Sequence, residues 1–298
     1  MSNADGLAPL SRKPDLALAG AATLFGSTFI VMQDAVKDVD PLAFLVARFG
    51  IGAVLLLPFL LRARSHHLFR HGALAGLTLA VGYVGQTVGL QYTTTSVSAF
   101  FTYLLVVIVP LMTAVVFRRL PTRSTLAGIV LAVAGLFVMS GTGFALGKGE
   151  VLTLVGAVAF AAHIVVLSEV AGRHDVFALN AVQFSTVALL LAGPALVTGS
   201  FAFPGGAWAA AVYTGVVVSV VAFGLQVWGQ SRVSASRAAL VLMLEPVVAA
   251  IIGRFDGEHL GAAGAIGAGM ILAGILVCEL AGPLLDRSPP AGQPDRLC

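Results

Sequence analysis

The 298-residue chain is 58 % hydrophobic and only 10 % charged, with a formal net charge of +3. A soluble domain carries roughly a quarter charged residues, so this composition excludes a water-soluble globule and gives no case for a nucleic-acid partner. Cys278 and Cys298 are the two cysteines, which excludes a disulfide framework.

The apolar residues gather into ten runs: 15–36, 41–61, 71–91, 96–117, 123–141, 150–171, 177–197, 207–229, 234–253 and 259–281. Each approaches the roughly 20 residues that cross a bilayer as a helix. The runs are apolar on all faces and lack the period-two alternation of barrel strands. A helix also satisfies its own backbone polar groups in lipid. Polar Met1–Pro14 precedes the first run with no convincing cleavage site behind it, so that run reads as an uncleaved first span.

In span 1, Phe25, Thr28 and Met32 fall on one side of the helix. Span 2 carries Arg48, about two turns inside its outer end. Arg48 reads either as a substrate-carboxylate contact or as a side chain that snorkels outward or pairs with Asp34 or Asp40; the second reading is preferred. His66, His67 and His71, just before and at the start of span 3, read as solvated loop residues. Within span 3, Tyr83, Gln86 and Leu90 share a face, and Gly82, Gly85 and Gly89 allow close helix packing. Span 4 holds Tyr103 and Pro110.

The second half repeats this pattern. Span 6 offers Phe160, His163 and Leu167 as counterparts of the span 1 face. His163 either titrates near neutrality or, the commoner case, bonds a neighbouring helix. No cluster at ligand spacing accompanies it, so neither a metal nor another cofactor is expected. Ser219, Phe223 and Gln226 share a face of span 8. Span 9 starts with Arg237, read as an anchor, and holds Glu245 near the midplane beside Pro246. An intramembrane charge costs at least ~2.5 kcal/mol at a helix centre. Glu245 therefore reads as a substrate or proton site, or as a carboxylate bonded at the helix break. Pro110 and Pro246 are candidate hinges. Gly264, Gly267, Gly269 and Gly274 mark span 10 as a packing helix, and the tail from Pro283 is expected to be disordered.

With the amino terminus inside, the inner segments hold Arg12, Lys13, Arg62, Arg64, Arg70, Arg118, Arg119, Arg123, Arg173, Arg232, Arg237, Arg287 and Arg296, against Lys37, Lys148 and Arg254 outside. This is the positive-inside bias, with both termini cytoplasmic. A shift of 136 residues pairs Val97-Ser98-Ala99 with Val233-Ser234-Ala235 and Pro110 with Pro246. A shift of 139 pairs Gly128 and Gly135 with Gly267 and Gly274, and one of 135 pairs Phe25 with Phe160. Five spans per copy is odd, so the second copy is inverted. The expected fold is an all-α polytopic membrane protein of ten transmembrane helices in two inverted five-helix repeats, 15–141 and 150–281, flanked by cytoplasmic segments 1–14 and 282–298. Such repeats place a substrate site between the halves near the midplane.

Four local patterns resemble the EamA-type branch of the drug/metabolite transporter superfamily over residues 15–281. They are Phe25-Gly26-Ser27-Thr28-Phe29, Arg48-Phe49, Leu244-Glu245-Pro246-Val247, and Gly257-Glu258 leading to Gly267 and Gly274. Phe25 stands where Trp is more usual, and Arg119 replaces the first-half counterpart of Glu258. Within that branch the chain is most similar to YddG-type amino-acid exporters. The resemblance implies a ten-span bacterial inner-membrane exporter working by alternating access on amino acids or similar small metabolites.

The expected substrate cavity comprises Phe25, Thr28, Tyr83, Gln86, Tyr103, Phe160, His163, Gln226 and Glu245. Aromatic walls with few polar groups suit small amphipathic or apolar solutes, and an amide in lipid should turn inward. The bland alternative for each residue is helix packing. A drug or hydrophobic-solute exporter is the second functional reading. An intramembrane enzyme is the third, but no nucleophile, metal set or carboxylate pair is grouped for it. No Walker motif points to direct ATP driving.

Overall fold

Each apolar run becomes a helix in the computed structural model, which describes residues 13–35, 39–62, 65–93, 95–118, 120–140, 147–253 and 261–285. Helix α1 is Lys13–Ala35. Helix α2 is Pro41–Leu55, continued as Leu57–Arg62. Helix α3 is His66–Gly89, and α4 is Thr95–Tyr103 followed by Leu105–Phe117. Helices α5, α6 and α7 are Arg123–Ser140, Lys148–Val170 and Val176–Thr198. Helix α8 runs from Gly205 to Gln230 in three segments. Helix α9 is Ala235–Leu242 with Leu244–Gly253, and α10 is Gly261–Leu285. Helix α3 starts at His66, ahead of its apolar run, and α10 continues through Pro283 into the expected tail. Segments 1–12 and 286–298, Lys37, Arg119 and Gly257-Glu258 lie outside the described residues.

Local chemistry explains the boundaries. Asp40 caps α2, its Oδ1 accepting the Ala43 N–H at 2.8 Å, with Pro41 at the first helical position. Asp175 caps α7 in the same way through Ala178 N–H, also at 2.8 Å. Asp40 and Asp175 are separated by the 135-residue repeat shift, so the same cap opens the second helix of each half. Helix α9 breaks at Met243, within one turn of Pro246, as expected where proline removes a backbone donor. Helix α4 breaks at Leu104, more than a turn before Pro110, which lies inside a continuous segment. The two prolines match in sequence, but the two breaks do not coincide.

Helix α8 contains a feature that helical periodicity does not reveal. Thr214–Ala222 is a π-helix, and the Ser219 hydroxyl donates to the Thr214 carbonyl five residues back at 3.1 Å. The wider turn rotates the helix, so Ser219 packs towards Gly52 while Phe223 and Gln226 face the protein centre.

The packing obeys the inverted repeat. Helix α1 packs on α8 and α9, and α6 makes the equivalent contacts with α3 and α4. Helix α2 packs on its counterpart α7, and α5 on its counterpart α10. The α5–α10 seam is antiparallel and built on glycine. A Cβ at Gly128 would stand 2.6 Å from the Gly274 carbonyl, and one at Gly135 would stand 2.6 Å from that of Gly267. Each glycine thus meets the repeat counterpart of the other, as a two-fold axis requires. Gly85 and Gly89 likewise bring α3 against α6.

Charged ends meet consistently. Arg237, at the start of α9, pairs with Asp15, at the start of α1, at 2.9 Å. At the opposite end, the Lys148 ammonium lies 4.0 Å from the Tyr92 ring centroid.

A central cavity between the halves

Helices α1, α3, α4, α6, α8 and α9 enclose a cavity of about 80 Å³. Seven of the nine expected residues line it: Phe25, Tyr83, Tyr103, Phe160, His163, Gln226 and Glu245. Leu79, Thr102, Leu105, Ile164, Phe223 and Leu242 complete the wall. Thr28 does not reach the cavity; its hydroxyl donates to the Phe25 carbonyl at 2.6 Å on its own helix. Gln86 stands behind the wall, where its Nε2 donates to the Thr102 hydroxyl at 3.3 Å. Pro110 and Pro246 are not lining residues.

Aromatic edges form the cavity walls. Tyr83 meets Phe160 edge-on at 5.2 Å between centroids and Phe49 at 5.1 Å. Across the cavity, Phe223 meets Phe25 at 5.1 Å and Phe184 at 5.3 Å. Such offset and T-shaped contacts are the favoured arrangements of aromatic pairs.

Arg48 belongs to this centre and not to the outer surface. It is 1 % exposed, and its Nη2 donates to the Tyr83 hydroxyl at 3.0 Å. Its guanidinium lies 4.7 Å from the Tyr83 centroid and 5.1 Å from that of Phe49, within cation–π range. Asp40 is occupied as the α2 cap, while the Asp34 side chain lies outside the described residues. Glu245 accepts a hydrogen bond from Tyr103 and feels the charge of Arg48. Arg48 and Glu245 therefore share the protein centre, each bonded to a tyrosine.

The motif glycine has a physical reason. A Cβ at Gly26 would lie 2.7 Å from the Glu245 carbonyl and 2.9 Å from Val248 Cβ. The Phe25-Gly26 stretch of α1 thus seats the Glu245-Pro246 break of α9.

Two polar tracks leave the cavity. His163 Nε2 bonds Gln183 Oε1 at 2.8 Å, and Gln183 in turn bonds Asn180. Gln183 donates to Asn180 through its amide nitrogen, so its oxygen must accept and His163 must donate from Nε2. Gln226 Nε2 donates to Gln230 Oε1 at 3.1 Å, and Gln230 donates to the Ile164 carbonyl at 3.2 Å. Gln183 stands one repeat shift from Arg48, so the equivalent position bonds a tyrosine in one half and a histidine in the other.

Among the described residues ten helices, five of them long and apolar enough to cross a membrane, pack in two antiparallel halves around a polar and aromatic cavity, the architecture of a polytopic membrane transporter. The model of the EamA-like transporter family matches the chain twice, over residues 12–141 and 147–279. The chain belongs to this family, within the drug/metabolite transporter superfamily. It is similar to an uncharacterized transporter of Archaeoglobus fulgidus, 32 % identical over 269 residues, covering 89 % of this chain and 85 % of that one. It is also similar to the uncharacterized inner membrane transporter YedA of Escherichia coli, 29 % identical over 92 % of each chain. A solved crystal structure shares the fold, with a TM-score of 0.78 at 20 % identity over 90 % of this chain and 98 % of the other.

Proposed function

We propose that this transporter exports neutral amino acids, aromatic and apolar ones among them, from the cytoplasm by alternating access through the central cavity. In this reading the halves are 15–141 and 150–281. The chain sits in a bacterial inner membrane with both termini cytoplasmic, as the arginine distribution favours.

One observation carries the proposal: Arg48 and Glu245 lie in one electrostatic neighbourhood behind an aromatic wall. A zwitterion with an apolar side chain complements that combination. Its carboxylate matches the guanidinium through paired hydrogen bonds, its ammonium matches Glu245, and its side chain matches Phe25, Phe160 and Phe223. The similarity to YddG-type exporters in the motif residues supports the same reading. A small cavity of about 80 Å³ between the halves suits alternating access, in which the walls part to admit substrate. The proposed hinges are Pro246, beside the break at Met243, and Pro110, inside the unbroken segment Leu105–Phe117.

The test is counterflow in liposomes. Vesicles preloaded with unlabelled amino acid should accumulate labelled phenylalanine, leucine or threonine above protein-free vesicles. Equal uptake with and without protein across the whole amino-acid panel removes this reading. The aromatic wall also favours a hydrophobic-solute exporter as the second reading. In that case flux of apolar amines persists when Arg48 is neutralised.

A further inference from the structure

A second, larger cavity of about 730 Å³ opens at the arginine-rich end of the bundle. Its walls come from both halves: the end of α2 and start of α3 on one side, and the turn between α6 and α7 on the other. Phe59, Leu68 and Ala178 form an apolar floor. Around it stand Arg62, His67, His71, Arg173 and His174, with Asp175 the lone carboxylate of the lining. Asp175 is already engaged, its Oδ1 accepting the Ala178 N–H at the start of α7.

His71 is a part-buried residue of α3 and not a loop residue. Its Nδ1 lies 2.7 Å from His174 Nε2, a hydrogen bond joining residues 103 positions apart. His67 stacks beyond it, 6.2 Å between ring centroids. One of the two bonded nitrogens carries a proton and the other does not. The accepting ring therefore carries its own proton on its outer nitrogen, and that N–H faces away from the pair. Ser65 also lines the cavity and makes no side-chain bond to the α3 terminus it precedes.

We propose that this cavity binds a phosphate-bearing anion, held by Arg62 and Arg173 through guanidinium forks and by the one outer N–H of the His71–His174 pair. Several donors converge on one pocket with a single, occupied carboxylate, and guanidinium geometry matches phosphate oxygens. Among the described residues no three His, Cys, Asp or Glu side chains group as metal ligands, so the chemistry is that of an anion site. Burial, and after it the neighbouring His71, Arg173 and His67, hold His174 below the ordinary imidazole range. An anion relieves that repulsion. The apolar floor beneath the basic rim suits the headgroup of an anionic phospholipid, and the same donors suit a soluble phosphate. The inference is independent of what the central cavity carries.

Two arms separate these sources. The full chain in detergent is titrated with inorganic phosphate, against chloride at matched ionic strength, while the imidazole signals of labelled histidine are followed by NMR. In parallel, protein in phosphatidylcholine nanodiscs with or without phosphatidylglycerol is examined by native mass spectrometry. Movement of the His71 and His174 signals with phosphate identifies a soluble phosphate site. Retained phosphatidylglycerol that moves the same signals identifies a lipid site. In either case Arg62→Gln and Arg173→Gln each weaken binding about tenfold, as expected for a charged hydrogen bond. Signals unmoved by both probes, or equal binding by wild type and variants, overturn the proposal. Should the variants fail to fold, the wild-type histidine signals decide alone.

Discussion

The glycine seam between α5 and α10 tests the inverted architecture by energetics. A Cβ on Gly128 would lie 2.6 Å from the Gly274 carbonyl, and one on Gly274 would lie 2.6 Å from that of Gly128. Ordinary contact begins at 3.4 Å, so a single alanine must open the seam locally by the difference, about 0.8 Å. Overpacking of this kind costs ~1–3 kcal/mol, offset by up to ~1 kcal/mol of helix propensity. Each of Gly128→Ala and Gly274→Ala should therefore destabilise by up to about 2 kcal/mol. The double variant should cost less than the sum, because the helices separate only once. The expected coupling is about 1 kcal/mol. Gly128→Ala with Gly267→Ala joins repeat counterparts that lie about 10 Å apart along the seam, so those costs should add. Gly269→Ala meets open space and should be neutral or slightly stabilising. Reversible unfolding in mixed micelles reads all of these. Coupling between Gly128 and Gly267 instead of between Gly128 and Gly274 would show that the two halves do not meet antiparallel.

Gly82→Ala should lower transport at least about tenfold with little loss of expression, because a Cβ there stands 2.5 Å from the Phe160 ring and drives it into the cavity; overpacking of ~1–3 kcal/mol must be relieved somewhere. Unchanged flux would place Phe160 off the substrate path. Glu245→Gln should abolish exchange of zwitterionic amino acids while the protein stays monodisperse, and Arg48→Lys should not restore the activity lost in Arg48→Met, since the stacked guanidinium is what Tyr83 and Phe49 hold. Rescue by lysine in the counterflow assay refutes the stacking argument. Because the fold holds His174 below the ordinary imidazole value of 6.5, the folded state binds fewer protons there than the unfolded one. Stability from this group is present above that pH and declines as pH falls through 6.5. His174→Gln should flatten the slope of unfolding temperature against pH in that region, and an unchanged slope contradicts the assignment.

Helices were legible in the sequence because lipid leaves little choice: an apolar run of sufficient length must satisfy its own backbone. The aromatic and amide side chains inside those runs indicated the cavity for the same reason, and Tyr83, Phe160, His163 and Gln226 line it. Face-counting failed where tertiary structure supplied the partner. Thr28 bonds its own helix and Gln86 bonds Thr102, so neither needs the cavity. Ser219 left its expected face because a π-helix changes the residues per turn. Arg48 lies near the outer end by residue counting, yet Tyr83 of another helix draws it inward. The basic cavity was illegible because its histidines come from different halves. Neither His71 nor His174 is unusual beside a run of arginines at a membrane surface.

The most direct test of a cavity serving both membrane faces is thiol access in sealed vesicles. Thr102, which lines the cavity, is replaced in a Cys278→Ser, Cys298→Ser background as Thr102→Cys. A membrane-impermeant maleimide is then supplied from either side. Alternating access predicts modification from both sides, slowed by substrate. Reaction from one side alone, or from neither, contradicts it.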